Sequence, residues 1–120
     1  MNNPIWMMTS ALSKCSFHEL TDVAGEINAQ GMELCVFRRD GTRRDHVATH
    51  LDYENFGTDD AKRVLESCNQ SGLRFSVGAY ENLIGGDPAE RVNNQNHILK
   101  LIRMAHLLGG NANDVIVGTF

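Results

Sequence analysis

The chain has 120 residues, with 11 Lys plus Arg against 15 Asp plus Glu and a formal net charge of −4. That length holds one domain or part of one, and leaves no room for two ordinary domains. At 42% hydrophobic and 22% charged it can build a packed core, and its mild acidity argues against non-specific nucleic-acid binding, which needs clustered positive charge.

No apolar run approaches the ~20 residues that would span a bilayer, and no basic flank precedes a long apolar segment at the N-terminus. Cys15, Cys35 and Cys68 are odd in number, widely spaced and free of any CxxC pair. That usage fits a reducing, cytoplasmic setting and offers no zinc site. Neither a membrane nor a nucleic acid is expected as a partner.

Pro4-Ile5-Trp6-Met7-Met8-Thr9 is a short apolar run without helical spacing, and it reads as a buried strand with Trp6 in the core. Ser16 and Glu19 then stand three apart, as in a capping box. Phe17, Leu20, Val23, Ala24 and Ile27 follow at helical spacing, and Gly31 is the expected stop. Met32–Phe37 makes a second strand. Thr58 or Asp59 opens a second helix through Ala61, Val64, Leu65 and Cys68, stopped by Ser71-Gly72, and Leu73–Ala79 is a third strand. Asp87-Pro88-Ala89-Glu90 starts a third helix with a cap, a proline where no N–H is needed and an acid in the first turn. It runs to about Leu108 with Ile98, Leu101, Ile102, Ala105 and Leu108 inward, and Asp114–Phe120 is a fourth strand.

The predicted order is therefore βαβαβαβ. Strands joined through helices lie parallel with right-handed crossovers, and their near-continuous apolar character implies burial on both faces. An open doubly wound sheet and part of a (β/α)8 barrel both satisfy this. Strand starts near 5, 32, 73 and 114 are spaced by 27, 41 and 41 residues, whereas a complete eightfold barrel takes about 250 residues.

Leu73–Ala79, followed by Tyr80-Glu81-Asn82-Leu83 and Gly86-Asp87-Pro88-Ala89-Glu90-Arg91, resembles the third strand, loop and helix start of the xylose isomerase-like barrels. In that superfamily the sugar phosphate isomerases/epimerases commonly carry an aromatic- and Asn-containing loop before a DPxxR helix start. Gly31-Met32-Glu33-Leu34 resembles the family's G-x-E-L second strand. The resemblance covers the whole chain but only four of the family's eight strands. It implies an α/β fold made of one (β/α)4 half-barrel unit over residues 1–120, cut at its midpoint or completed by a partner.

The chemistry the resemblance implies is metal-assisted: a divalent cation (Mn, Mg or Zn) polarises the sugar oxygens while paired glutamates move a proton on the adjacent carbon. The Glu, Asp, His and Glu ligand set comes mostly from strands five to eight, so no metal is expected in this chain and no catalytic residue is assigned. What remains is one wall of a substrate pocket for a sugar or sugar phosphate, at the C-terminal strand ends.

Six residues are candidates for that wall: Glu33, Arg38, His50, Tyr80, Glu81 and Asn82. The segment from Arg38 to Gly57 lacks clear periodicity, and structureless stretches longer than ~12–15 residues are commonly functional. Its Arg38, Arg39, Arg43 and Arg44 could fork onto a phosphate or carboxylate, or form a solvated turn balanced by Asp40 and Asp45. His46 and His50 are four apart, but HVATH lacks the glutamate of HExxH and is no zinc-protease motif. His50 alone is a candidate for substrate hydroxyls. Glu33 within a strand needs a partner or a pocket, with Arg74 as one possible mate. Tyr80, Glu81 and Asn82 reach the same rim, although Asn82 equally suits a turn. His18, His97 and His106 read as structural, and Met7, Met8, Met32 and Met104 as core filler.

Two readings follow. In the first, the chain is the N-terminal half of a sugar isomerase/epimerase, inactive or weak on its own. In the second it is a non-catalytic half-barrel that associates with itself through open sheet edges. An endonuclease-type member of the same superfamily matches less well, because metal histidines should begin at the third and fourth strand ends and Gly118-Thr119-Phe120 supplies none.

Overall fold

The computed structural model describes residues 3–39 and 49–109 and the backbone of 115–118. Strands and helices alternate along it. They are β1 (Trp6–Met8), a 3-10 turn (Thr9–Ala11), α1 (Phe17–Glu26), β2 (Gly31–Cys35), α2 (Thr58–Gln70), β3 (Arg74–Tyr80), α3 (Pro88–Leu108) and β4 (Val115–Gly118).

Each helix starts where a side chain can take an otherwise unpaired N–H. At α1 the Ser16 N–H donates to Glu19 Oε2 at 2.6 Å and the Glu19 N–H to Ser16 Oγ at 3.3 Å, the reciprocal box expected from the sequence. At α3 the Glu90 N–H donates to Asp87 Oδ2 at 3.0 Å, with Pro88 in the first turn. The cap of α2 is Gly57, which has no side chain; the Asp60 carboxylate takes its N–H at 2.9 Å instead.

The helix ends explain a correction. α1 stops at Glu26, not at Gly31. Asn28 adopts a left-handed φ of 55°, its N–H donates to Gly25 O and the Ala29 N–H to Ala24 O. Those two bonds close a Schellman turn around an asparagine, a residue that tolerates this conformation better than most. Gly72 makes the same turn at the end of α2 with φ 65°, donating to Asn69 O while Leu73 donates to Cys68 O. Gly31 opens β2 instead, for a different reason. A Cβ there would lie 2.6 Å from Trp6 Cε2 and 2.9 Å from the Arg74 carbonyl oxygen, so only glycine fits beneath the indole.

The four strands form one parallel sheet in the order β1-β2-β3-β4. Because the order never reverses, right-handed crossovers bring every helix to the same face. The register aligns Met7 with Met32 and Phe75, and Leu34 with Val77. These side chains form one buried cluster with Leu20 and Ala24 of α1, Val64 and Cys68 of α2, and Leu101 and Leu108 of α3. A doubly wound sheet would split its helices between two faces; this one does not.

The opposite face differs. Strand alternation turns Trp6 and Met8 away from Met7, and they stand 40% and 46% exposed, so neither is the core residue the sequence suggested. Ile102, expected inward on α3, is likewise exposed. One residue past Leu101 it sits about 100° round the helix, off the sheet-facing arc. No described helix is long and apolar enough to cross a membrane, and Cys15, Cys35 and Cys68 are all free thiols.

Candidate functional site

Beyond β2 the chain runs on through Val36, Phe37 and Arg38 alongside the end of β3. The Val36 N–H donates to the Gly78 carbonyl at 2.8 Å, so the pairing outlasts the strand. Thr49 then grips Phe37 twice: the Phe37 N–H donates to Thr49 Oγ1 at 3.0 Å, and that hydroxyl donates to Phe37 O at 3.1 Å. The excursion of the chain between β2 and α2 therefore starts and returns at one point. Arg43, Arg44 and His46, with Asp40 and Asp45, lie outside the described residues.

Arg38 is turned inward, its side chain only 5% exposed. The guanidinium donates to Glu90 Oε2 at 3.0 Å and Asn94 Oδ1 at 2.8 Å, and the backbone N–H to Glu81 Oε1 at 3.4 Å. Asn94 Nδ2 in turn donates to the Asn82 carbonyl at 2.8 Å, while Asn82 Oδ1 accepts the Ile84 N–H at 3.3 Å in an Asx turn and the Gly85 N–H at 2.8 Å. The result is a brace across the C-terminal ends of β2 and β3, locked to the first turns of α3. Glu90 offsets the charge of Arg38. Glu90 is itself half exposed, so the buried partner of the guanidinium is Asn94.

On the face away from the helices, Tyr80 OH donates to Glu33 Oε1 at 2.9 Å. Glu33 is buried, and Ser76 stands beside it in register on β3. Burial, reinforced by the carboxylate that accepts its proton, pushes the Tyr80 phenol up to about 12. Tyr80 is therefore a neutral donor at ordinary pH. Burial, and then the charge of Glu33, also raises the Cys35 thiol. Burial alone takes Cys68 to about 11. A thiol so disfavoured as thiolate is no nucleophile.

His50 stands apart from both groups. Its Nε2 lies 2.8 Å from the carbonyl oxygen of Leu12; a carbonyl only accepts, so Nε2 carries the proton. The residue belongs to no helix, and it borders a groove of about 440 Å³ between α1 and α2, with Phe17, His18, Asp52 and Arg63. A second cavity of about 330 Å³ lies between Tyr53–Phe56 and Lys100, Arg103 and Met104 of α3. On its wall the Lys100 ammonium donates to both oxygens of Glu54 at 2.8 and 2.9 Å.

The six sequence-derived candidates thus fall into three places. Arg38, Glu81 and Asn82 share the brace, Glu33 and Tyr80 form a pair on the open face, and His50, in the β2–α2 connection, bonds across to Leu12 of the β1–α1 connection. Sequence reasoning passed over Asn94, which crosslinks the brace, and took Glu90 only for a first-turn acid. An i, i+4 pair with its second member on the buried arc of α3 was the available signal. His97, read as structural, donates from Nε2 to the Val36 carbonyl at 2.6 Å and meets the Tyr53 ring edge-on at 4.7 Å.

Chemically, the open face offers the Glu33 carboxylate as an acceptor, with the Tyr80 and Ser76 hydroxyls beside it. Among the described residues, no group of three or more His, Cys, Asp or Glu side chains converges as a metal site would require. Compared with protein-family models and with curated proteins, the chain gives no match.

Proposed function

We propose that this chain is the N-terminal (β/α)4 half of a sugar or sugar phosphate isomerase/epimerase-type barrel, and that it supplies a hydroxyl-binding wall, not the proton-transfer machinery. The observation that carries this reading is the Glu33–Tyr80 pair on the sheet face away from the helices. In a β/α barrel that face is the interior, and substrates gather at the C-terminal strand ends. The unreversed strand order supports the same architecture, because it is the order a closing barrel needs.

The three free cysteines suit a cytosolic setting. A divalent cation, Mn, Mg or Zn, belongs to the complete barrel, where it would polarise the sugar oxygens. Residues of this half bind and orient: Glu33 accepts a hydroxyl, Tyr80 keeps the carboxylate aimed, and the Arg38–Glu90–Asn94 brace fixes the rim that bears Glu81 and Asn82. On its own the chain turns over no sugar.

Titration with D-fructose and D-fructose 6-phosphate, with and without Mn²⁺, followed by amide NMR, tests this. The expected result is weak, saturable shifts centred on residues 33–38 and 78–82, with no isomerised product. Shifts that map elsewhere, or none with any ketose or aldose, would sink the reading. Glu33→Gln should weaken the response severalfold.

A further inference from the structure

The same surfaces that would receive the other half of a barrel can receive a second copy of this chain. β1 pairs only with β2 and β4 only with β3, so each leaves one edge unpaired in the described sheet. Unpaired edges are templates for further strands. Beside them, Trp6 and Met8 leave apolar surface open on the face away from the helices, and parallel sheets are normally covered on both sides.

The flanking helices specify the occupant. α1 carries Glu19, Asp22 and Glu26 and neither Lys nor Arg. α3 carries Arg91, Lys100 and Arg103 against a single acid, Glu90. The two helices therefore have opposite charge. The side of α1 turned from α2 combines Val23 and Ile27 with Glu19 and Glu26. On α3 the corresponding side combines Ile102 with Arg91. Each is an apolar seam edged by charge, and the signs are complementary.

We infer that the 120-residue polypeptide pairs with a second copy of itself about a twofold axis running along the strands, β4 of each copy lying parallel to β1 of the other. Rotation about that axis preserves strand direction, so the pairing is parallel throughout and the C-terminal strand ends of both copies share one end. At both seams α3 of one copy faces α1 of its partner, basic against acidic. The closure satisfies both free edges at once, as a cyclic dimer must to avoid growing into a filament. Trp6 then lies inside the ring. The inference rests on the half-barrel reading of the fold but not on sugar chemistry, which the dimer neither requires nor restores.

Charge reversal tests it. In Glu26→Lys the α1 seam exchanges an acid for a base, and in Arg91→Glu the α3 seam becomes acidic. Each variant alone then opposes like charges, whereas a one-to-one mixture matches opposite charges at both seams. Both sites are on helix surfaces, and circular dichroism verifies that each variant folds. Sedimentation and light scattering should give twice the 13.3 kDa chain mass for the wild type. Each variant alone should dimerise about tenfold more weakly, and the mixture should recover dimer. Trp6, the single tryptophan, should shift its emission to the blue as concentration rises.

A wild type that stays at monomer mass overturns the inference, as does a dimer whose variants associate unchanged or whose mixture fails to recover. Sugar-dependent shifts in a monomer would leave the proposed function standing while this inference falls. A charge-sensitive dimer without sugar response would do the reverse.

Discussion

The two faces of the sheet are built from alternate residues of the same strands, yet they behave as different materials. On the helix side Met32, Leu34, Phe75 and Val77 are sealed beneath three helices. Across the backbone, one residue on in each strand, stand Glu33, Ser76 and Tyr80, with Trp6 and Met8 open to solvent. The period of two forces this division, since neighbouring side chains in a strand point to opposite sides. Stability is concentrated on one face and chemical potential on the other, so substitutions should separate the two.

The largest effect is expected from Phe75→Ala, which empties a fully buried site and should cost about 3–5 kcal/mol in denaturant unfolding. Trp6→Ala, on the open face of the same sheet, should cost the isolated chain much less. Equal losses would break the comparison. Gly31→Ala comes next: its Cβ would meet the Trp6 ring and the Arg74 carbonyl, and overpacking of this kind costs about 1–3 kcal/mol. Adding Trp6→Ala should relieve only part of that loss, because the backbone oxygen remains in the way.

Tyr80→Phe removes the donor to Glu33 and should destabilise by about 1–2 kcal/mol, the penalty of leaving a buried acceptor unpaired. It also sharpens the contrast through pH. The folded phenol titrates at about 12 against an ordinary value of 10.0, so its contribution is complete below pH 10 and disappears as pH climbs through 12. Unfolding midpoints of wild type and Tyr80→Phe should therefore converge over that window.

The smallest effect is Ser16→Ala, far from either face, at about 1 kcal/mol for a lost cap. The Ser16 backbone N–H and hydroxyl hold the Glu19 carboxyl below its ordinary value of 4.5. That contribution is present above pH 4.5 and fades as pH falls through the lowered folded value. Thermal unfolding across the acid range, compared between the two proteins, checks it.

Much of the architecture could be read from local signals because those signals are local in fact. The Ser16/Glu19 box, the Asp87-Pro88 start and the Gly72 stop each act within a few residues. Gly31 misled because its role is long-range: it accommodates a tryptophan 25 positions earlier, which no helix-ending rule contains. Trp6 misled for the matching reason, as apolarity predicts burial without saying which face receives cover. Glu33 needed a partner, but Arg74 was the wrong guess; Arg74 lies over the Trp6 ring at 6.0 Å, and Tyr80, 47 positions on, closes the pair. Arg38 was legible as a rim residue. Its commitment to Glu90 and Asn94 was not, since that depends on how α3 lands against β2.

The double hydrogen bond between Thr49 and Phe37 has a practical corollary. It ties Phe37, just past β2, directly to Thr49, on the way into α2. Such a junction is a natural cassette boundary: a doubled loop length adds only about 0.6 kcal/mol of closure entropy. Lengthening the chain between Phe37 and Thr49 should therefore leave the scaffold intact, with an unfolding midpoint close to that of the wild type.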